Sequence, residues 1–316
     1  MIMKSIIKVC VVFGLLVAAC SPNRQDQDRL ADPGRTREEQ SQEDILVGTL
    51  SVAVDESVAP LLKEQEEVFL SAYPNAKLNF ITKPEVLSIR ELVSGKASVA
   101  ILARPLNDEE EASFKQRSIT PRIFPVWSDG IVVISNTKSA DTSVTISYLT
   151  NAMQGKSSDN RKIAFDNINS SSFRFLRELG KMEKVASNFV EAGSGAKSVM
   201  EAVAQSTDKL GILGYNEYRD LIASFPNKNN IRILSVQNTL GEKADNRFYL
   251  PNQSTIAAGQ YPLQRTFYVL NYQPNLGLGI GFSAFLTGDR GQRIVLKAGL
   301  VPATMPGREI IVRDNI

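Results

Sequence analysis

The chain has 316 residues, 36 Lys+Arg against 34 Asp+Glu for a formal charge of +2, 43% hydrophobic residues, two cysteines and no histidine. The missing histidine excludes Ser-His-Asp and Cys-His triads and every His-ligated zinc site. A near-balanced charge without a basic cluster leaves no footprint for nucleic acid.

Met1 to Ala19 carries Lys4 and Lys8 and then the apolar run Val9 to Ala19. A core of about 11 residues is too short for a bilayer, which needs roughly 20, and it predicts a signal peptide. The small residues of Leu16-Val-Ala-Ala-Cys20 resemble a lipobox, which implies cleavage before Cys20 and lipidation of its thiol; the other reading is an ordinary secretory signal with a chance cysteine. Acyl chains are worth about 0.8 kcal/mol per buried CH2, so several on one cysteine anchor stably. With Cys10 removed and Cys20 acylated, the mature domain has no disulfide, no thiol nucleophile and no thiolate metal site. Residues 20–44 then form the lipidated cysteine and a tether, since Ser21 to Asp44 is polar and Pro22, Pro33 and Gly34 oppose a long helix.

From Val47 strands and helices alternate. Val47 to Val54 predicts a strand, and Glu56 to Phe69 a helix with Val58, Leu61, Leu62, Val68 and Phe69 on one face. Lys77 to Ile81 predicts a second strand, and Thr82-Lys83-Pro84-Glu85 has the form of a capping box. Ala97 to Leu102 predicts a third strand, and Asn107-x-x-Glu110 caps a further helix. This alternation predicts a parallel or mixed sheet with helices on both faces, binding ligands at the carboxyl ends of its strands. Later elements are the strand Ile131 to Ile134, Thr145 to Met153, the short strand Ile163 to Phe165, Asn188 to Glu191, the helix Lys197 to Gln205 and the strand Leu210 to Leu213. A helix Leu278 to Ala298, broken near Gly288, closes the chain. Phe124 and Trp127 are read as core rather than as a stacking platform.

After Phe165 a polar loop leads to Ser170, Ser171 and Ser172, which open a helix carrying Phe173, Leu176 and Leu179 at helical spacing. One serine caps the helix. Three leave spare hydroxyl and N–H donors at one spot, as an anion site requires; the alternative is that they only cap.

Asp166-Asn-Ile-Asn-Ser170-Ser171-Ser172 resembles the Arg-x-x-x-Ser-Gly-Thr loop of the phosphate-binding proteins that serve phosphate ABC importers. Val54-Asp55-Glu56-Ser57 lies where that family has its first ligand loop. Ala100-Ile-Leu-Ala103-Arg104-Pro-Leu, Asp129-Gly-Ile-Val-Val-Ile-Ser-Asn136, Tyr261-Pro-Leu-x-Arg265 and Gly291-Gln-Arg-x-Val-Leu-x-x-Gly299-Leu-Val-Pro302 are similar to further family stretches in the same order. Together they run from about residue 47 to 305. The resemblance implies a two-lobed α/β fold of the type II periplasmic-binding-protein kind, with mixed sheets flanked by helices and a two-strand hinge. The lobes implied are 45–136 plus 258–316, and 137–257, closing on a ligand.

The chain departs from the family at the cleft. Asp166 stands where the loop has its arginine, and Ala103 where the family has its acid, with Arg104 beside it. This suggests that the charges have exchanged lobes. Arg104 would then offer a donor fork to oxyanion oxygens. Asp55 or Asp166 would accept a phosphate proton, which sulfate lacks, while Ser57, Ser170, Ser171 and Ser172 donate and Lys83 stands by as a second cation. The competing readings pair Arg104 with Asp108 or Glu109, make Asp166 a brace of its own loop and leave Lys83 solvated.

The expected protein is therefore a lipid-anchored receptor for inorganic phosphate or a similar small anion, facing the periplasm or cell surface of a bacterium and serving an inner-membrane permease, monomeric by analogy. The alternatives are another small oxyanion or polar solute, or an interaction lipoprotein whose ligand site is lost. No cofactor, metal or catalytic residue is expected. Nucleotide loops are absent, the acidic run Asn107 to Glu111 lacks the glycine and spacing of an EF-hand, and nothing demands a Ser170–Lys83 hydrolase.

Overall fold

The computed structural model describes residues 45–307; the expected signal peptide, Cys20 and the tether lie outside them. The first sheet is built on β1 (Gly48–Asp55), with β2 (Ala76–Lys83) and β3 (Val99–Leu102) parallel on either side. β12 (Gln264–Asn271) runs antiparallel against β3, and β4 (Arg122–Asn136) antiparallel against β12.

The β1 side chains alternate between two buried faces, the pattern of a strand covered on both sides. Leu50, Val52 and Val54 meet α1 (Ala59–Ala72) and α9 (Leu278–Thr287), where Phe69 sits edge-on to Phe282 and Phe285 at 5.3 and 5.2 Å. Ala53 faces α2 (Glu85–Val93) and α3 (Asp108–Gln116) through Ile89, Leu92 and Phe114.

β4 carries the chain into the second lobe without a break. Its first half pairs with β12 as far as Gly130, and from Ile131 it pairs with β8 (Lys209–Gly214) and then β9 (Ile231–Ile233). Beyond β8 lie β6 (Lys162–Phe165) and β7 (Val190–Ala192), both parallel to it in direction. On one face α4 (Ile146–Met153) and α5 (Ser171–Leu179) pack through Leu149, Phe173 and Leu176; on the other α6 (Ala196–Gln205) packs through Val199, Met200 and Val203 and α7 (Tyr215–Ile222) through Tyr218, Leu221 and Ile222. β5 (Ser143–Val144), β10 (Ser235–Gln237) and β11 (Phe248–Tyr249) form a separate small sheet. After α8 (Gln253–Ala257) the chain returns past Tyr261, whose hydroxyl donates to the buried Ile131 carbonyl at 2.6 Å and fixes the crossing. α10 (Asp289–Lys297) follows α9 after Gly288, the break expected there, and β13 (Val301–Pro302) ends on β4.

Local details depart from the sequence reading where partners from elsewhere intervene. The first helix is not continuous from Glu56: Asp55 caps a 3₁₀ turn, Glu56–Val58, before α1 begins with Pro60 in its first turn. Thr82 does not cap α2. Pro84 holds that place without a side-chain cap, and the Ser88 hydroxyl donates to the Val54 carbonyl at 2.7 Å. The Asn107–Glu110 capping box forms as expected. Trp127 is fully buried, but Phe124, at the strand start, is 46% exposed.

Glu85 leaves its expected capping role because it reaches across the lobes. It is fully buried and accepts a two-pronged bond from Arg174 of α5, through Nε and, at 3.0 Å, through Nη2. Next to it the Val86 N–H donates to the Asn169 carbonyl of the opposite lobe at 3.1 Å. Removing one partner of a buried pair strands the other charge, at a cost of about 3–5 kcal/mol. Arg174→Leu should therefore lower the denaturant-unfolding free energy by about that amount; a loss below about 1 kcal/mol would show the pair to be solvated.

Candidate functional site

The two lobes meet at the carboxyl ends of β1 and β6, beside the point where β4 crosses. Asp55 ends β1 fully buried, and its Oδ1 accepts the Ser57 N–H at 3.0 Å, turning the chain into α1 and bringing the Ser57 hydroxyl inward. Opposite, β6 delivers Asp166, also fully buried, whose Oδ1 accepts the Asn167 N–H at 2.9 Å. Ser170 caps α5 by accepting the Phe173 N–H at 3.2 Å. Ser171 and Ser172 are fully buried in its first turn and free for other bonds.

Those bonds go to Arg265 of β12, which is 4% exposed. Its Nη1 donates to the hydroxyls of Ser171 and, at 3.2 Å, Ser172; its Nη2 donates to Ser57 at 3.0 Å and to Asp129 Oδ2 at 3.4 Å. The ring of Phe267 lies 4.9 Å from the guanidinium carbon and covers one face. One cation thus touches hydroxyls of both lobes, and each hydroxyl that accepts from it keeps its own proton to donate. The Nε–H has no partner. Gly214, at the start of α7, closes the other side. A Cβ there would lie 2.8 Å from Arg265 Nη2 and 3.2 Å from Ser57 Cβ, so close approach, not backbone conformation, requires the glycine.

Carboxylates outnumber this cation. Asp129 accepts from Arg265 and from the Gly130 N–H at 2.8 Å, and Glu217 from the Gly214 N–H at 3.3 Å. Asp55 Oδ2, Asp166 Oδ2 and Glu56 Oε1 have no donor. Burial pushes Asp129 up to about 6, against the opposing charge of Arg265. Asp166 is pushed to about 6 by burial, the charge of Asp55 adding to it while its bonds from Ser170 and Asn167 oppose it. Glu56 rises to about 7 from burial and then the charges of Asp166 and Asp55, and Glu217 is raised well above the carboxylate range by the same causes. Asp129 is raised because burial outweighs its Arg265 partner, and the others because a charged form would lose water without gaining a cation.

Of the residues singled out from sequence, Asp55, Ser57, Asp166, Ser171 and Ser172 come together here, with Ser170 as the cap behind them. Two do not. Arg104 forms a two-pronged pair with Glu110 at 2.7 and 2.8 Å, so it braces the capping box of α3 instead of facing the serines. Its partner is neither Asp108 nor Glu109. Lys83 pairs with Glu91 at 2.5 Å and its side chain is 41% exposed. The exchange of charges between lobes is thus not what is found: the cation comes from the strand at the hinge. Arg265 was legible only as part of a fold motif. The signal that could have marked it is phase, since Leu263, Arg265, Phe267 and Val269 alternate on one buried strand face, as do Trp127, Asp129, Ile131 and Val133. A charge in step with core positions must find a buried partner.

The family model of the PBP superfamily domain matches residues 39–290. The chain belongs to that superfamily. Among related proteins, the phosphate-binding protein PstS of Staphylococcus epidermidis is 22% identical over 254 residues, covering 75% of this chain and 73% of its own. A solved protein from Clostridium perfringens, assigned as a phosphate ABC transporter substrate-binding protein and holding phosphate, is similar at a TM-score of 0.65 and 16% identity, over 81% of this chain and all of that one. An ABC-type phosphate transport receptor from Vibrio cholerae is similar at 0.62 and 18%, over 81% and 100%. These similarities establish the two-lobed PBP fold.

The raised carboxyls set a pH dependence of stability. Folded Asp129 and Asp166 keep protons to about pH 6 and Glu56 to about pH 7, whereas unfolded carboxyls release theirs near pH 4. The folded state therefore binds more protons between about pH 4 and pH 7, so these groups stabilise fully below that window and less as pH rises through it. The urea midpoint of the unliganded protein should fall from about pH 5 to about pH 7, and fall less in Asp166→Asn. A midpoint that climbs across this range would contradict the buried-acid account.

Proposed function

We propose that this chain captures inorganic phosphate in its interlobe cleft and hands it to a membrane import system, as a lipid-anchored, monomeric receptor outside the cytoplasm. The observation that carries the reading is the Arg265 guanidinium, shared by hydroxyls of both lobes and left with an open Nε–H. A tetrahedral oxyanion entering there gains a charge-assisted bond from Nε and hydroxyl donors from Ser57, Ser171 and Ser172, each such bond worth about 1.5–3 kcal/mol. Asp55 and Asp166 accept from the oxyanion's own hydroxyls, which sulfate does not have. The phosphate-binding names of the relatives support the same ligand.

No catalytic step is assigned; the function is capture and release. The lobes, taken as 45–136 plus 258–316 and 137–257, close about β4 and the return past Tyr261, and the ligand binds the closed form. No helix among the described residues is long and apolar enough to cross a membrane. The proposed attachment is through Cys20, with residues 20–44 as the tether. Fatty-acid labelling of the expressed protein should disappear in Cys20→Ala; label retained in that variant would remove the anchor.

Phosphate at 100 times Kd should stabilise the protein by about 2.7 kcal/mol, read as a thermal shift of a few degrees. Sulfate should give none. Gly214→Ala should weaken phosphate binding by about tenfold or more, by displacing the guanidinium. The double variant Arg265→Met/Asp129→Asn, which removes both members of the Arg265–Asp129 pair together, should abolish the shift. No shift with phosphate in the parent protein would overturn the reading.

A further inference from the structure

The cleft poses an accounting problem for its ligand. Arg265 is its cation, and Asp129 already neutralises it at 3.4 Å. Facing that pair are Asp55 and Glu56 from the end of β1, Asp166 from the end of β6 and Glu217 from α7. Glu85 of α2 lies near Asp55, but its charge is met by Arg174. Ser57, Ser171 and Ser172 complete the lining without charge. Two fully buried carboxylate oxygens, Asp55 Oδ2 and Asp166 Oδ2, one from each lobe, have no hydrogen-bond donor, and a third, Glu56 Oε1, stands at the half-buried edge. Among the described residues one cationic N–H of the site, Arg265 Nε, has no acceptor.

The charged vacancies are thus mostly acceptors, three carboxylate oxygens against one guanidinium N–H, while the serine hydroxyls remain as neutral donors. A dianion with one hydroxyl would satisfy one of the two buried carboxylates and set a bare oxygen against the other. Such a contact combines a lost hydrogen bond with like-charge repulsion in a site shielded from water. A monoanion with two hydroxyls matches the count. One P–OH donates to Asp55 and the other to Asp166, while the two remaining oxygens accept from Arg265 Nε and the serine hydroxyls.

Resting on the phosphate reading above, we propose that the cleft selects phosphate as its doubly protonated monoanion, held by Asp55 from one lobe and Asp166 from the other. Protons then act as co-ligands. Below phosphate's second ionisation the ion binds as it exists in solution. Above it, each hydrogen phosphate dianion that binds takes one proton from the medium, and affinity falls with rising pH. The raised Asp166 and Glu56 carboxyls agree with this, because they show a cleft that resists further negative charge.

Titration calorimetry with inorganic phosphate, in two buffers of different ionisation enthalpy, tests the proposal between about pH 6 and about pH 8. Above the second ionisation Kd should rise about tenfold per pH unit, with close to one proton taken up per phosphate. In Asp166→Asn the amide supplies a donor where the parent has an acceptor, so the slope should flatten and sulfate should begin to bind. Asp55→Asn gives the same readout from the other lobe, should the first variant fail to fold. Equal affinity across the range without proton uptake, or a full slope kept in both variants, would overturn the proposal while leaving phosphate as the ligand. No heat with phosphate at any pH in the range would overturn the phosphate reading itself.

Discussion

A guanidinium taken out of water is stable in a protein only when most of its donors and its charge are met. The arrangement of both lobes follows from that requirement at Arg265. Its partners come from the turn after β1, the first turn of α5 and the crossing strand β4, three places far apart in the chain. Each of those elements is positioned by its own core: β1 by α1 and α9, α5 by Leu149, Phe165 and Leu176. The guanidinium thereby ties Ser57 of one lobe to Ser171 of the other. Gly214 keeps the approach open by lacking a Cβ where the arginine and Ser57 come nearest.

The same centre fixes the electrostatic character of the cleft. Asp166 occupies the place where the phosphate-binding loop it resembles has an arginine, and the cation is supplied from β12 instead. Neutralisation by Asp129 then leaves the cleft with buried acids and a single charge-assisted donor to spare. An oxyanion suited to this cleft must contribute hydrogen-bond donors of its own. Specificity arises from unpaired acceptors as much as from attraction, because a ligand that cannot fill them leaves their desolvation uncompensated.

Closure is supported at a second place. Glu85–Arg174 and the Val86–Asn169 backbone bond join the lobes outside the ligand groups. The contacts that join the lobes there and the polar cluster around Arg265 thus use different residues. On the proposed function, a change at Glu85 would alter how often the cleft is shut and hence the apparent affinity, while a change at Asp166 would alter what fits inside.

The fold was legible in the sequence because it depends on local periodicity. Apolar runs set between helical stretches gave β1 and β3, the Asn107–Glu110 spacing gave the cap of α3, and Gly288 marked the break between α9 and α10. Part of the cluster around Arg265 was named from the sequence: Ser170 to Ser172 by their place at a helix start, and Asp55 and Ser57 by the resemblance of their loop to a family ligand loop. The charge pairing was not. Arg104 and Arg265 are both arginines at the edge of an apolar stretch, and only tertiary packing sends one to Glu110 on the next helix and the other into the cleft. An ion pair is decided by which groups lose their water together, and that depends on residues more than a hundred positions apart being brought within bonding distance by the two cores.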